Sequence, residues 1–277
     1  MRATVGAPAR ALPAGARLTP LLLARPRRAL TLVERSVRVY KTKWIYIVSG
    51  FFEPLFYLLS INVGLSHLVG SVELGGHPVS YARFVAPGLL ATSAMNGSIL
   101  DTTYNFFFKL KIAKTFQSVI ATPLGVADIT FGEVGWAVVR GSIYSVGFLV
   151  VMAAFGLVTS PWAVLDLPAT MLVALCFASL GIAASSYMRT WQDLSAVSLA
   201  VLPFFLFSGT FYPLSVYPHP VALVIGLTPL YQGVVLCRGL TNGIVDPGLL
   251  WHAALLVALS LAGLAIAARR LGRLLTP

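Results

Sequence analysis

The sequence predicts an all-α integral membrane protein that crosses the bilayer six times. Its 277 residues are 57% hydrophobic and only 10% charged, whereas soluble domains carry about 25% charged residues. The apolar residues form six runs close to the roughly 20 residues that one helical span needs. Because these runs are continuous and not alternating, they favour helices over barrel strands. The predicted spans cover residues 44–67, 82–105, 130–157, 163–187, 194–211 and 248–268.

The positive charges lie mainly on one side of these spans. Of the 20 Lys and Arg residues, 17 precede span one or follow spans two, four or six. Because such residues accumulate in cytoplasmic loops, both termini are predicted to be cytoplasmic. The net charge of +11 therefore reflects topology, and no nucleic-acid partner is expected.

The region before span one has two parts. Residues 1–27 are rich in Ala, Arg and Pro and contain no acidic residue, which predicts a disordered basic tail on the cytoplasmic side, able to contact anionic lipid. Over residues 29–43, apolar side chains recur at helical spacing and charged ones, including Arg35 and Arg38, fall mostly between them. This pattern predicts an amphipathic helix at the cytoplasmic interface.

The ionisable residues within the predicted spans include Glu53 in span one, Asp101 in span two and Arg140 in span three. A charged side chain that faces lipid costs about 2.5–3.5 kcal/mol, so Glu53 is predicted to face protein or water. Arg140 could pair with Glu53 or with Asp101, and the sequence leaves this choice open. Such pairs could serve structure or transport.

A cationic segment, "KLKIAKTFQSVIATPLGVAD", follows span two. Its apolar residues recur at helical spacing while its polar residues take other faces, which predicts a short amphipathic cytoplasmic helix over Lys109 to Ile120, ended by Pro123. The apolar residues are Ile112, Phe116, Val119 and Ile120, and the polar ones are Lys109, Lys111, Lys114 and Gln117. About eight helical residues at 1.5 Å each give a length of about 12 Å, which suits a projection that sits in a cleft of another protein.

The segment 207–248 joins spans five and six on the outer side. Its apolar stretches are too short to span and are interrupted by prolines, beginning with Pro213. This pattern predicts a re-entrant pair of short helices. Because such a backbone must be covered by protein or water at membrane depth, the region is a candidate gate or lid.

The sequence lacks the motifs of several enzyme classes. It contains no GxxxxGK[ST] phosphate loop, no HExxH and no GxSxG. Cys176 and Cys237 lack the spacing of paired metal ligands. No catalytic or metal site is therefore predicted, and the chain itself is expected neither to bind nor to hydrolyse ATP.

Four segments, in order, carry a family resemblance. They are "FFEPLFYLLSINVGL", "FVAPGLLATSAMNGSILDTTYN", "KTFQSVIATPLGVADITFGEVGWAVVRG" and "FSGTFYPLSVYP…LTPLYQGVVLCRGL". They resemble ABC-2 type exporter permeases, especially the lipo-oligosaccharide (nodulation-factor) and drug-export permeases. The resemblance covers about residues 30–270 and implies that 28–277 form a single ABC-2 type transmembrane domain.

The resemblance implies a dimeric permease of the bacterial cytoplasmic membrane, built from two copies or from one copy and a sister permease. Two copies of a separate ATP-binding subunit would hold ATP and Mg²⁺. The segment Lys109 to Ile120 would be the coupling helix seated on that subunit, and residues 29–43 would add to the contact. The cargo would be an amphiphile: a lipo-oligosaccharide, a glycolipid or a hydrophobic drug.

Spans one, two and five are expected to provide the substrate path, with the outer segment as a gate. The candidate residues are Glu53, Asn62, Asn96, Asp101, Arg140, Phe204, Phe205, Phe207, Tyr212 and Pro213.

Three other functions fit the same composition. A proton-coupled secondary exporter would use the intramembrane charges as a relay. A membrane-embedded transferase would need a cluster of acids, bases or metal ligands at one depth. A scaffold without transport activity would tolerate substitution of Asn96 or Asp101.

Overall fold

The computed structural model describes residues 26–42 and 45–275. The tail predicted for residues 1–27 lies almost wholly outside the described residues. The Glu53 side chain lies outside them as well, so its predicted orientation stays a prediction.

The described chain is nearly all helical. Helix α1 spans Pro26–Thr42, and α2 spans Ile45–Ser60 and continues through a π turn, Ile61–Leu65, and a final turn, Ser66–Val69. Strands β1 (Ser71–Leu74) and β2 (His77–Ser80) precede α3 (Tyr81–Leu100), which continues through two π turns, Asp101–Asn105 and Phe108–Ile112. The remaining helices are α4 (Thr115–Ile120), α5 (Val126–Ala154), α6 (Asp166–Ser185, after a 3-10 turn at Pro161–Leu165), α7 (Asp193–Leu206), α8 (His219–Gly226), α9 (Pro229–Asn242) and α10 (Gly248–Leu275).

Three helical segments of the described chain are long and apolar enough to cross a membrane. They are Val126–Ala154, Pro161–Ser185 and Gly248–Leu275. Helices α8 and α9 meet at 82° and form either a broken span or the predicted re-entrant pair. The predicted fifth span is shorter than expected, because α7 has 14 residues, or about 21 Å, against about 30 Å of hydrocarbon.

A β-hairpin departs from the all-α prediction. Strands β1 and β2 pair antiparallel, with Leu74 opposite His77. The connecting Gly75 and Gly76 have φ values of +59° and +81°. A two-residue hairpin turn of this kind needs positive φ at both positions, which glycine adopts without a steric cost. The Gly-Gly pair was the available sequence signal.

The predicted coupling helix, Lys109 to Ile120, is wrong in its bounds. Lys109 and Ile112 belong to the last π turn of α3, and only Thr115–Ile120 form the separate helix α4. Between them, Lys114 has a φ of +48°, in the left-handed region. A residue in the left-handed conformation does not fit into a right-handed helix, so the helix ends at Lys114. It therefore turns the chain from α3 into α4.

Small residues allow the central helices to approach closely. A Cβ added at Gly97 of α3 would lie 2.9 Å from the Cα of Gly141 in α5. A Cβ added at Gly141 would lie 2.8 Å from the Ala174 Cβ in α6. Such contacts favour association between membrane helices, where apolar side chains gain nothing by leaving lipid. Helices α3, α5 and α6 therefore form one tightly packed unit.

We predict that Gly141→Ala destabilises the protein, because the added methyl overlaps Ala174 and the backbone of α3. Overpacking of this kind typically costs about 1–3 kcal/mol. The measurement is the thermal unfolding midpoint of the purified protein in one detergent. Gly272→Ala is the matched control, since an added Cβ there meets nothing within 4 Å. Equal midpoints for the two variants would contradict the close approach.

Candidate functional site

A buried polar cluster joins helices α1, α3 and α5. At its centre, Arg140 of α5 donates through Nη1 to Oδ1 of Asp101 at 3.1 Å. Asp101 is 1% exposed and Arg140 is 7% exposed. Of the two carboxylates that the sequence offered to Arg140, Asp101 is in contact with it. The partners cancel each other's charge in an interior that would penalise either charge alone.

Tyr40 and Asn105 bring α1 and the π turn of α3 into this cluster. The Tyr40 hydroxyl donates to Asp101 Oδ1 at 3.2 Å. The Asn105 amide nitrogen donates to the Tyr40 hydroxyl at 2.7 Å and to Asp101 Oδ1 at 2.6 Å. Burial, and then the neighbouring Asp101 carboxylate, raise the pKa of the Tyr40 hydroxyl above its ordinary value. It therefore remains a neutral donor at physiological pH.

Aromatic groups surround the Arg140 side chain. Its Nε and Nη2 donate to the Tyr144 hydroxyl at 3.3 and 3.1 Å. Its guanidinium carbon lies 5.6 Å from the centre of the Tyr40 ring, within cation–π range. The Tyr40 ring also stacks on Trp136 of α5, with centroids 4.9 Å apart. Tyr40 thus contacts α5 through its ring and α3 through its hydroxyl.

Glycines in α5 position α1 for these contacts. A Cβ at Gly132 would lie 2.7 Å from the Leu32 Cβ, and one at Gly135 would lie 3.3 Å from Val33. Leu32 is 8% exposed. The apolar face of the predicted interfacial helix therefore packs on protein along α5, and its exposed face carries Arg35 and Arg38.

A second ion pair ties α3 to α5 near the end of α3. Lys109 Nζ lies 2.7 Å from Glu133 Oε2, and the Glu133 side chain is 8% exposed. Lys109 is therefore engaged within the chain. Its predicted place on a partner-facing surface does not match this orientation, because the buried Glu133 carboxylate draws it inward.

The other coupling candidates divide by exposure. Phe116 is 2% exposed and packs against Phe106 of α3, with centroids 5.1 Å apart. Lys111, Val119 and Ile120 are half-buried. The exposed candidates at this end are Ile112, Lys114, Gln117 and Pro123. Helix α4 is thus fixed to α3 by its apolar face and presents a short polar face outward.

The substrate-path candidates do not converge on one site. Asn96 and Phe205 line a depression of about 210 Å³ between α3 and α7. Phe204 lines a larger groove of about 570 Å³ between α6 and α7. Phe207 and Tyr212 are exposed, and Asn62 is half-buried in the π turn after α2. Among the candidates, the structure brings Asp101 and Arg140 together, and separately Asn96 and Phe205.

Another buried cation holds the opposite end of the molecule. Arg238 of α9 donates to the carbonyls of Phe84 and Gly209 at 3.0 and 2.8 Å. Its guanidinium carbon lies 3.8 Å from the centre of the Phe84 ring. A pocket of about 250 Å³ next to it is lined by Pro213 and the hairpin residue Glu73. Arg238 therefore joins α9, α3 and the segment after α7.

The sequence interpretation missed Tyr40, Asn105, Tyr144 and the pairing of Glu133. Two of these had a usable signal, since Asn105 follows Asp101 by four residues and Tyr144 follows Arg140 by four, and residues so spaced meet on one helix face. Tyr40 falls at the helical spacing of the apolar residues of α1, and its hydroxyl contact depends on the packing of α1 against α5. Among the described residues, no group of three His, Cys, Asp or Glu side chains could hold a metal ion.

We predict that Arg140→Met lowers the free energy of unfolding by about 3–5 kcal/mol, because Asp101 would be left buried without its cation. Adding Asp101→Asn should recover part of the loss. Thermal unfolding of the single and double variants tests this coupling. Arg38→Met is the control, since the exposed Arg38–Glu34 pair, at 3.9 Å, should contribute at most about 1 kcal/mol. Purely additive effects of the two cluster substitutions would contradict the prediction.

Comparisons with known proteins agree with this architecture. The family model for ABC-2 type transporters matches residues 27–240. Nodulation protein J of Rhizobium leguminosarum bv. trifolii is 32% identical over 192 residues, covering 69% of this chain and 72% of the relative. Nodulation protein J of Rhizobium meliloti (strain 1021) is 29% identical over 198 residues, covering 71% and 74%. The inner membrane transport permease YadH of Escherichia coli (strain K12) is 29% identical over 172 residues, covering 61% and 62%.

The family match extends from α1 to α9 and includes every residue of the buried cluster. The chain therefore belongs to the ABC-2 type transporter family.

Proposed function

We propose that this chain is the permease subunit of an ATP-driven exporter that works with two copies of a separate ATP-binding subunit. ATP and Mg²⁺ would be held by that partner. The permease would cross the bacterial inner membrane six times, with both termini in the cytoplasm, and would pair with a second copy or a sister permease. The main support is the packing of α4. Its apolar face contacts α3 through Phe116, and its polar face is exposed.

The attachment of α4 supports a role in coupling. A partner that moves α4 also moves Phe116, which packs on Phe106 of α3. Two ion pairs, Lys109–Glu133 and Asp101–Arg140, then link α3 to α5. Because packed elements move as rigid bodies and do not deform continuously, a displacement at α4 would shift α3 and α5 together.

Helix α1 would follow the same motion. Its Tyr40 contacts Asp101 and stacks on Trp136, so α1 cannot stay in place while α3 and α5 move. The exposed Arg35 and Arg38 would extend the ATPase contact or meet membrane lipid. The resulting rearrangement would open the path between permease copies to the outer side.

The carboxylates of the two buried ion pairs, Asp101 and Glu133, favour this account over a proton-driven exporter. A proton relay needs carboxylates that gain and lose a proton during transport. Asp101 is held by Arg140, Tyr40 and Asn105, and Glu133 is held by Lys109. If either carboxylate separated from its cation, a charge would remain buried without a partner, which is energetically costly. A structural role therefore fits these carboxylates better than proton transfer.

The cargo we propose is an amphiphile such as a lipo-oligosaccharide, a glycolipid or a hydrophobic drug. The depression at Asn96 and Phe205 supports this class, since it combines amide and hydroxyl groups with apolar side chains. Tyr104 and Ser198, whose hydroxyls lie 2.7 Å apart, form part of its polar lining. Such a surface can contact a polar head and an acyl chain together.

We predict that the paired substitutions Lys114→Glu and Gln117→Glu weaken binding of a co-expressed ATP-binding subunit at least tenfold, or by about 1.4 kcal/mol. Both side chains are exposed on or next to α4, so the fold should be retained. Co-purification and permease-stimulated ATP hydrolysis measure the effect. A charged residue at Phe116 would be a poorer probe, because it would disrupt the packing of α4 itself.

The paired substitutions Arg189→Glu and Thr190→Glu, in the exposed turn between α6 and α7, are the matched control for this experiment. They make the same change of charge away from α4 and should leave binding unchanged. Wild-type binding by the α4 variant, with an unchanged thermal midpoint, would remove α4 from the interface.

The energy source can be tested in inverted membrane vesicles that contain the permease and its ATP-binding subunit. We expect uptake of a fluorescent amphiphile to require hydrolysable ATP and to continue when a protonophore collapses the gradient. Uptake that persists without the ATP-binding subunit and stops with the protonophore would instead establish the proton-coupled exporter.

A further inference from the structure

An open apolar groove runs between α6 and α7. It has a volume of about 570 Å³ and is backed by Ile99 and Thr103 of α3. Its walls are formed by Phe177, Leu180 and Met188 from the α6 side and by Val201 and Phe204 of α7. Along the groove, the backbones of α6 and α7 stay apart, so the space between them is not filled by their own packing.

The groove is about as long as one bilayer leaflet is deep. Its lining residues on α7 run from Asp193 to Phe204, which corresponds to about 16 Å at 1.5 Å per residue. That is roughly half of the 30 Å hydrocarbon core, the depth of one leaflet. Small exposed side chains, Ala184 on α6 and Ala200 on α7, leave its side open.

One end of the groove is cationic. Tyr187 lines this end, and the Arg270 guanidinium carbon lies 4.7 Å from the centre of its ring. Arg270 Nε is buried and has no hydrogen-bond acceptor among the described residues. Arg189 lies in the adjoining turn. The half-buried Arg270 next to Tyr187 and the exposed Arg189 thus give this end of the groove a positive charge, which an anionic headgroup would complement.

The carboxylate at the same end is already occupied. Asp193 Oδ2 accepts the backbone N–H groups of Arg189 and Thr190 at 2.7 and 3.0 Å. Its charge is therefore engaged by the turn that precedes α7. With Arg189 and Arg270 against one carboxylate, the net charge at this end is positive.

We propose that this groove binds one acyl chain of an anionic phospholipid, with the phosphate placed against Arg270. The acyl chain would fill the groove between α6 and α7. The headgroup would lie at the basic end of the molecule, which carries Lys109, Lys114, Arg189 and Arg270. The groove shares Ile99, Thr103 and Val201 with the depression proposed for the cargo, so the bound lipid would lie beside that surface. Its occupancy can be measured without transport or ATP, so the lipid site and the proposed function can fail independently.

The test uses the full chain in nanodiscs of phosphatidylcholine that contain a trace of a lipid with a photoreactive acyl chain. We expect phosphatidylglycerol to label peptides of α6 and α7 about fivefold more than phosphatidylcholine does, which matches about 1 kcal/mol for one cation at a membrane surface. Arg270→Gln should abolish this preference, and Arg270→Lys should restore most of it. Arg269→Gln, at the exposed neighbouring arginine, is the matched control and should leave the preference unchanged.

Occupancy of the channel is tested separately from the headgroup. Ala200→Trp and Ala184→Trp, which fill the groove from opposite walls, should each reduce labelling by both lipids several-fold. Leu261→Trp, on the exposed face of α10, should not. Thermal midpoints and elution volumes report whether each variant remains folded.

Three results would overturn the proposal. Equal labelling of the wild type by both lipids would identify ordinary boundary lipid. Labelling spread evenly over all exposed helices would show that the groove is not a specific lipid site. A lower dimer fraction in Ala200→Trp, with lipid labelling unchanged, would assign the groove to a second copy of the chain.

Discussion

The buried ion pair between Asp101 and Arg140 is the interaction on which the rest of the basic end depends. Neither charge is tolerable alone in an apolar interior, so each fixes the position of the other. Because Asp101 belongs to the π turn after α3 and Arg140 to α5, the pair sets the register of these helices. Tyr40 then brings α1 into the same register through a hydrogen bond and a stacked ring.

The π turn itself is part of this arrangement. It widens the helix at the level where α3 meets α6, and Ser185 of α6 donates to the Thr102 carbonyl at 2.8 Å. Gly181 makes this approach feasible, because a Cβ there would lie 2.2 Å from Thr102 Oγ1. Insertions of this kind are frequent at functional sites. Here the π turn presents Asp101 to one neighbouring helix and a backbone carbonyl to another.

The two ends of the molecule are organised by different means. At the basic end, ion pairs and a short packed helix join α1, α3, α4 and α5, an arrangement suited to receiving a force from a partner. At the opposite end, Arg238 binds backbone carbonyls, and its neighbours are a hairpin and a pair of helices bent by 82°. The open apolar groove lies between α6 and α7. The packed centre formed by α3, α5 and α6 therefore separates two ends that are built differently.

The sequence by itself determined the membrane class and the amphipathic α1, because these follow from composition and from the spacing of neighbouring residues. Four segments in order carried the family resemblance. It also narrowed the partner of Arg140 to two carboxylates. The tertiary structure placed Asp101 against Arg140, turned Lys109 inward to Glu133, and divided the predicted coupling helix at Lys114. Nor could the sequence find Tyr40 as a member of the cluster. These outcomes depend on how closely Gly97, Gly132 and Gly141 let distant helices approach, and such distances are a property of the packed molecule, not of any single segment.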